Sequence, residues 1–202
     1  RRDIAALGGE GYTPSNGGIN LLVWGGSLGA RVVSDVVPPA LAALPPALRV
    51  RVQVTQQARA EDVERVGAAY RAAGIPALVA PFLSDVPERL HAAHLVIGRA
   101  GGSSVAELTV AGRPSLLVPL PIAARDEQGA NAQALVDAGA AWMIRQPQFT
   151  ASALTERLVS LLADREQLAS TAQAAARLGR PDAAARLADM IEASLPDLPN
   201  AA

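Results

Sequence analysis

Residues 99–128 read RAGGSSVAELTVAGRPSLLVPLPIAARDEQ. The Gly101-Gly102 pair opens a segment, Ser103–Ala111, that is expected to be a helix closed by Gly112. Ser115–Val118 follows as a short apolar strand. A proline-rich loop then leads through Asp126 into a second helix, expected over Glu127–Ala138 and closed by Gly139. A strand over His94–Ile97 precedes the whole stretch. Strands that alternate with helices, joined by glycine turns, indicate a parallel α/β sheet. The Ser103-Ser104 pair can cap the first helix, and the free amides of a helix N-terminus attract an anion. Glu107 sits one turn inside. One segment therefore carries an anion site, a carboxylate acceptor for hydroxyls and a polar loop. A sugar nucleotide presents those needs together, as diphosphate, ribose and hexose.

Upstream, the pattern repeats. Residues 1–19, rich in glycine, read as a loop or linker lead-in. Asn20–Trp24 (NLLVW) is a nearly continuous apolar run ending at Gly25-Gly26-Ser27, as a buried parallel strand followed by a tight turn would be. A helix is expected over Gly29–Leu44, then a strand over Arg49–Thr55, a helix over Ala60–Ala73 and a strand over Ala77–Ala80. A turn at 81–85 enters a helix with Pro87 in its first turn. Downstream come a strand at Ala141–Ile144 and helices near Ser152–Ala163, Arg165–Arg177 and Asp182–Ser194. About six strands in this alternation predict a doubly wound, Rossmann-like sheet, which binds ligands at the carboxyl ends of its strands. Both glycine turns, 25–27 and 101–104, fall there. The expected organisation is a lead-in (1–19), a ligand-binding domain (20–180) and a terminal helix with its tail (181–202).

Composition narrows the function. The chain has 202 residues, half of them hydrophobic, and a net charge of −1, so its bulk charge gives no sign of nucleic-acid binding. All 18 basic residues are Arg, a bias that fits a GC-rich genome, and Arg binds phosphate bidentately. Cys is absent and only His91 and His94 are present, which argues against disulfides and against a thiolate or histidine metal site. No apolar run reaches the roughly 18 residues of a membrane span. The first residues are Arg-Arg-Asp, so the sequence is expected to be cut from something longer.

Each motif also has a bland explanation. Gly25-Gly26-Ser27-Leu28-Gly29 suits phosphate, and equally a plain tight turn. It is not the dinucleotide fingerprint, since no acidic residue closes the second strand, and it lacks the Lys of a P-loop. Glu107 suits the first turns of a helix, or the two hydroxyls of a ribose. Phe82 is expected in the core, with the alternative that it flanks a planar base whose edge the next residue's backbone reads. Asp126 and Gln128 suit a helix cap, or contacts to sugar hydroxyls, and Asn131 shares their side of the helix. His91 and His94 are expected on the surface or half-buried, without catalytic work.

Three stretches, GGSLGAR at 25–31, RAGGSSVAE at 99–107 and VPLPIAARDEQGANAQALVDAGAA at 118–141, together resemble the donor-binding half of the MurG family of bacterial N-acetylglucosaminyltransferases. The resemblance runs over nearly the whole chain. It implies the carboxyl-terminal, Rossmann-like domain of a GT-B glycosyltransferase. It implies inverting transfer of N-acetylglucosamine from UDP-N-acetylglucosamine to lipid I, giving lipid II for peptidoglycan. By the same resemblance Arg1 reaches the donor from the hinge, and Gly26 and Ser27 contact its diphosphate. Phe82 and Leu83 frame the uracil. Gly102, Ser103, Ser104, Val105, Ala106 and Glu107 wrap the nucleotide, with Glu107 on the ribose, and Arg99 is a further substrate-binding residue. Gln128 meets the hexose, while Asp126 and Asn131 shape its loop. No catalytic residue, metal or cofactor is implied for this stretch. The base and the lipid I site belong to the family's amino-terminal half, and the whole protein is implied to sit peripherally on the cytoplasmic face of the bacterial inner membrane. The sequence departs from the family at Leu28, where Gln is usual, at Gly102, where Ala is common, and at Glu127 and Gly129. Two other readings share the architecture: a UDP-N-acetylglucosamine 2-epimerase, which would need a His in the loop at 119–128, and a non-catalytic UDP-sugar-binding subunit.

Overall fold

The computed structural model describes residues 2–25, 30–121 and 126–194. Among these, six strands form one parallel sheet: β1 (Ile19–Trp24), β2 (Val52–Gln57), β3 (Ala77–Ala80), β4 (Leu95–Gly98), β5 (Ser115–Leu117) and β6 (Trp142–Met143). Their order is β3-β2-β1-β4-β5-β6. The chain starts in the middle, winds outward to β3, then returns past β1 and winds the other way. The direction reverses between β1 and β4, and such a switch point leaves a crevice at the strands' carboxyl ends.

The apolar runs reflect burial on both faces. Leu21 and Val23 of β1, Leu95 and Ile97 of β4 and Leu116 of β5 point into one core. Helices α2 (Arg31–Ala42), α4 (Val63–Ala72) and α8 (Ala151–Ala163) supply its other side, with Val37, Leu41, Tyr70 and Leu158. Alternate residues Leu22, Val96 and Leu117 point into the second core. There they meet α1 (Arg2–Ala5), α5 (Val86–Ala92), α6 (Gly102–Ala111), α7 (Glu127–Asp137) and α9 (Arg165–Leu178) through Ile4, Leu90, Leu108, Leu135 and Ala175. Gly112 takes a left-handed φ of 59° that closes α6, and Gly139, at φ 67°, follows α7.

The structure corrects three expectations. A short helix, α3 (Pro46–Arg49), occupies the start of the expected second strand, so β2 begins at Val52. Pro45 and Pro46 preset the backbone for that turn, and Arg49 Nη1 ties it to the Ala42 carbonyl at 2.7 Å. The serine cap of α6 is absent: Gly101 is the N-cap and no side chain bonds there. Finally, the lead-in is no free loop. Ile4 and Leu7, three residues apart, are buried in the second core. The Tyr12 hydroxyl donates to the His94 carbonyl at 3.0 Å, and Arg113 Nη1 donates to the Gly11 carbonyl at 2.8 Å. The Arg113 guanidinium also lies 5.7 Å from the Tyr12 ring centroid.

His94 links this strap to the sheet. Its Nδ1 accepts the Asn20 amide at 2.9 Å, and burial holds the ring's pKa below the usual histidine value. The unfolded chain takes up this proton at about pH 6.5 and the folded chain only at lower pH. Between those points the unfolded state binds more protons, so stability falls as pH drops. The urea midpoint is expected to decrease from about pH 7 to about 5.5, and His94→Asn to flatten that slope. An unchanged slope in the variant would contradict this.

The last helix, α10 (Ala183–Ser194), buries no residue and exposes Leu187, Met190 and Ile191. Among the described residues no helix is long and apolar enough to cross a membrane.

Candidate functional site

A cavity of about 680 Å³ lies at the carboxyl ends of the strands, over the switch point. Each strand end contributes to it. Trp24 ends β1 and Gly25 follows it, Gln57 ends β2, Phe82 and Leu83 follow β3, Arg99 follows β4, Leu120 follows β5 and Gln146 follows β6. Ser103, Ser104 and Glu107 line it from the first turns of α6, and Gln128 from α7.

Phe82 is 75% exposed at this cavity, which overturns the expectation of a core position. Pro81 precedes it, and the Pro81 carbonyl accepts from Gln57 Nε2 at 3.2 Å, so the corner is anchored to β2. Leu83, one residue on, is buried. An exposed ring beside a fixed backbone corner can stack on a planar group while the backbone reads its edge.

The charges around the cavity favour an anion. Among the described residues, Arg31, Arg59 and Arg99 line it together with one carboxylate, Glu107. Arg99 is buried, which pushes its guanidinium below the ordinary value but leaves it cationic at neutral pH. Its Nη1 donates to the Val118 and Pro119 carbonyls at 2.9 and 3.1 Å, tying β4 to the loop after β5. The Arg65 hydrogen bond holds Asp62 below the usual carboxylate range, and the charges of Arg31 and Arg59 add to that effect. The amide end of α6 meets the same wall.

Gln128 and Asn131 act as a clamp. The Gln128 Oε1 accepts the Ala100 amide at 3.3 Å and the Leu120 amide at 3.1 Å, while Asn131 Nδ2 donates to the Ala100 carbonyl at 3.0 Å. Residues three apart on α7 thus satisfy both backbone groups of Ala100, just before α6 begins. Asn131 positions the loop and does not line the cavity. Asn131→Ala is expected to cost about 1 kcal/mol of stability, seen as a melting temperature lower by roughly 2–4 °C. An unshifted melt would show that the clamp contributes nothing.

The structure places the other sequence-based candidates less uniformly. Val105 is buried, Ala106 and Gly102 are exposed, and none of the three lines the cavity. Asp126 occupies the N-cap of α7 at φ 45° but makes no capping bond; its carboxylate pairs with Arg145 at 2.5 Å. Gly129 makes room for that pair, since a Cβ there would overlap both the carboxylate and the guanidinium. Arg1, Gly26 and Ser27 lie outside the described residues, as does Leu28. His91 is exposed and pairs with Glu10, and neither histidine lines the cavity. Sequence reasoning missed Arg31, Arg59, Gln57 and Gln146 as site residues. Each sits at or near a strand's carboxyl end or at the start of α2, and position alone marked them.

A family model described as "Glycosyltransferase family 28 C-terminal domain" matches residues 20–187. A UDP-N-acetylglucosamine--N-acetylmuramyl-(pentapeptide) pyrophosphoryl-undecaprenol N-acetylglucosamine transferase of Gluconobacter oxydans is 63% identical over 195 residues, covering 96% of this chain and 53% of the relative. One of the same name from Granulibacter bethesdensis is 60% identical over 197 residues, covering 96% and 51%. The crystal structure of Acinetobacter baumannii MurG superposes with a TM-score of 0.82 at 33% identity, over 90% of this chain and 54% of that one. The chain thus spans about half the length of the relatives it matches.

Proposed function

Since the chain belongs to the glycosyltransferase family 28 C-terminal domains, we propose that it is the donor-binding half of an inverting N-acetylglucosaminyltransferase. The donor is UDP-N-acetylglucosamine, the acceptor lipid I and the product lipid II of peptidoglycan synthesis. The observation that carries this is the cavity at the switch point, lined among the described residues by three arginines, the start of α6 and one carboxylate. A planar base, a diol and a diphosphate each have a counterpart on that wall: Phe82, Glu107 and the arginines.

In this reading the uracil stacks on Phe82 and the Leu83 backbone reads its edge. Glu107 accepts the ribose hydroxyls. The diphosphate lies against Arg31, Arg59 and the start of α6, with Gly26 and Ser27 from the turn after β1 and Arg1 from the lead-in. The hexose extends toward Gln128. When the acceptor hydroxyl attacks the anomeric carbon, the bond to the diphosphate breaks and negative charge grows on the departing UDP. Arginines and helix amides already oriented at that oxygen stabilise the charge without reorganising. The base that takes the acceptor's proton lies in the part of the relatives that this chain does not match. The whole transferase works peripherally at the cytoplasmic face of the bacterial inner membrane. The epimerase alternative lacks the histidine near the sugar that it would need, since the loop at 119–128 has none.

The activity is tested by UDP release from UDP-N-acetylglucosamine and lipid I. A protein joining this sequence to an acceptor half like that of its relatives is expected to release UDP, and the 202-residue chain alone to release none. No release by the joined protein would overturn the activity, and turnover by the chain alone would overturn the placement of the base.

A further inference from the structure

Gln146 begins the short 3-10 turn Gln146–Gln148 after β6. Its Oε1 is buried and accepts no hydrogen bond. It lines the cavity at the strand ends and also an adjoining one of about 360 Å³, which it shares with Leu120, Pro119, Asp126 and Arg145. Gln146 therefore stands where the two cavities join, beside Leu120. A buried carbonyl oxygen without a donor is costly, and it is satisfied by whatever donor enters the cavity.

Gln128 faces the same cavity with the opposite chemistry. Its Oε1 is committed to the Ala100 and Leu120 amides. Both partners are N–H donors, so the carboxamide orientation is settled, and its NH₂ is what Gln128 has left to offer a ligand. One wall thus presents N–H donors and an acceptor oxygen, both uncharged. A phosphate cannot satisfy Gln146, because it only accepts. Asp126 and Arg145 are occupied with each other. A sugar hydroxyl both donates and accepts, and a ring of hydroxyls suits this pair of carboxamides.

We propose that Gln146 determines specificity for the donor's hexose, its Oε1 accepting a hydrogen bond from a sugar hydroxyl while the Gln128 amide donates to a neighbouring one. This rests on the reading of the chain as a UDP-sugar donor domain. The test is calorimetric titration of the 202-residue chain with UDP and with UDP-N-acetylglucosamine, for the unsubstituted chain, Gln146→Met and Gln146→Glu. Gln146→Met keeps length but loses the acceptor. It is expected to weaken UDP-N-acetylglucosamine about tenfold and to leave UDP within about twofold. Gln146→Glu keeps an acceptor oxygen, so it should retain the preference for the sugar nucleotide over UDP, and its added charge weighs more on UDP, whose terminal phosphate carries the extra negative charge. Cooperative melting of each variant establishes that it is folded, and Gln146→Ala, which also removes the acceptor without adding charge, carries the test if Gln146→Met does not fold. If UDP binds but Gln146→Met affects both ligands equally or neither, this inference fails and the donor-domain reading stands. A loss of sugar preference in Gln146→Glu would also overturn it. If the unsubstituted chain binds neither ligand, both fall.

Discussion

Gly98→Ala is expected to be the most damaging single methyl group in the chain. Gly98 ends β4 and pairs with Trp24 at the end of β1. A Cβ on Gly98 would overlap the Trp24 carbonyl oxygen, which is backbone and cannot swing aside. That same oxygen accepts the Arg99 amide at 3.4 Å, and the Gly98 carbonyl accepts the Val118 amide at 2.7 Å. Room for the methyl comes only from parting β1 and β4 at their carboxyl ends. Overpacking of this kind costs about 3 kcal/mol, or a melting temperature lower by roughly 6–12 °C. The crevice opens on the same two strand ends, so ligand binding should weaken along with stability. A thermal melt of Gly98→Ala checks this, and a shift of under about 2 °C would show that the strands part at no cost.

Glu107→Ala separates function from fold. Glu107 lines the cavity from α6, and its Oε2 is buried. As a ribose acceptor it makes a charged hydrogen bond of about 1.5–3 kcal/mol, so its loss should weaken UDP by roughly ten- to a hundredfold. As a favourable charge near a helix start it contributes about 0.3–1 kcal/mol to stability and nothing to binding. The first outcome is expected: UDP binding weakened by that factor in a variant that still melts cooperatively. In the complete transferase the same variant should raise the KM for donor. Unchanged UDP affinity with a lower melt would return Glu107 to a purely structural role.

Which parts of this could be read from residues alone follows from what kind of physics set them. Both-face burial wrote itself into continuous apolar runs such as INLLVW, and Gly112 and Gly139 marked helix ends because only a left-handed turn needs them there. The glycine turns pointed to the strand ends, and the cavity lies there. Long-range packing was less visible. Arg49 to Arg51 alternates with valine like a strand, yet the proline pair before it sets a helical turn. The strap over residues 2–12 reads as glycine-rich loop, and only the Ile4 and Leu7 spacing signals its burial. Phe82 reads as core because aromatic residues usually are, and its exposure comes from the Gln57 anchor on Pro81, contacts 24 residues apart. Asn131 reads as a residue that shapes the loop, but its partner, the Ala100 carbonyl 31 residues away, is legible only in the fold. Gln146 was invisible, since a stranded oxygen is defined by its surroundings and not by its neighbours in sequence.

The central claim, that this chain holds a UDP-sugar by itself, is tested most directly by titrating it with UDP in a calorimeter, on a sample that melts cooperatively. One saturable site per chain is the predicted result, weakened by Glu107→Ala and occupied competitively by UDP-N-acetylglucosamine. A folded sample that shows no saturable binding of either ligand would contradict it.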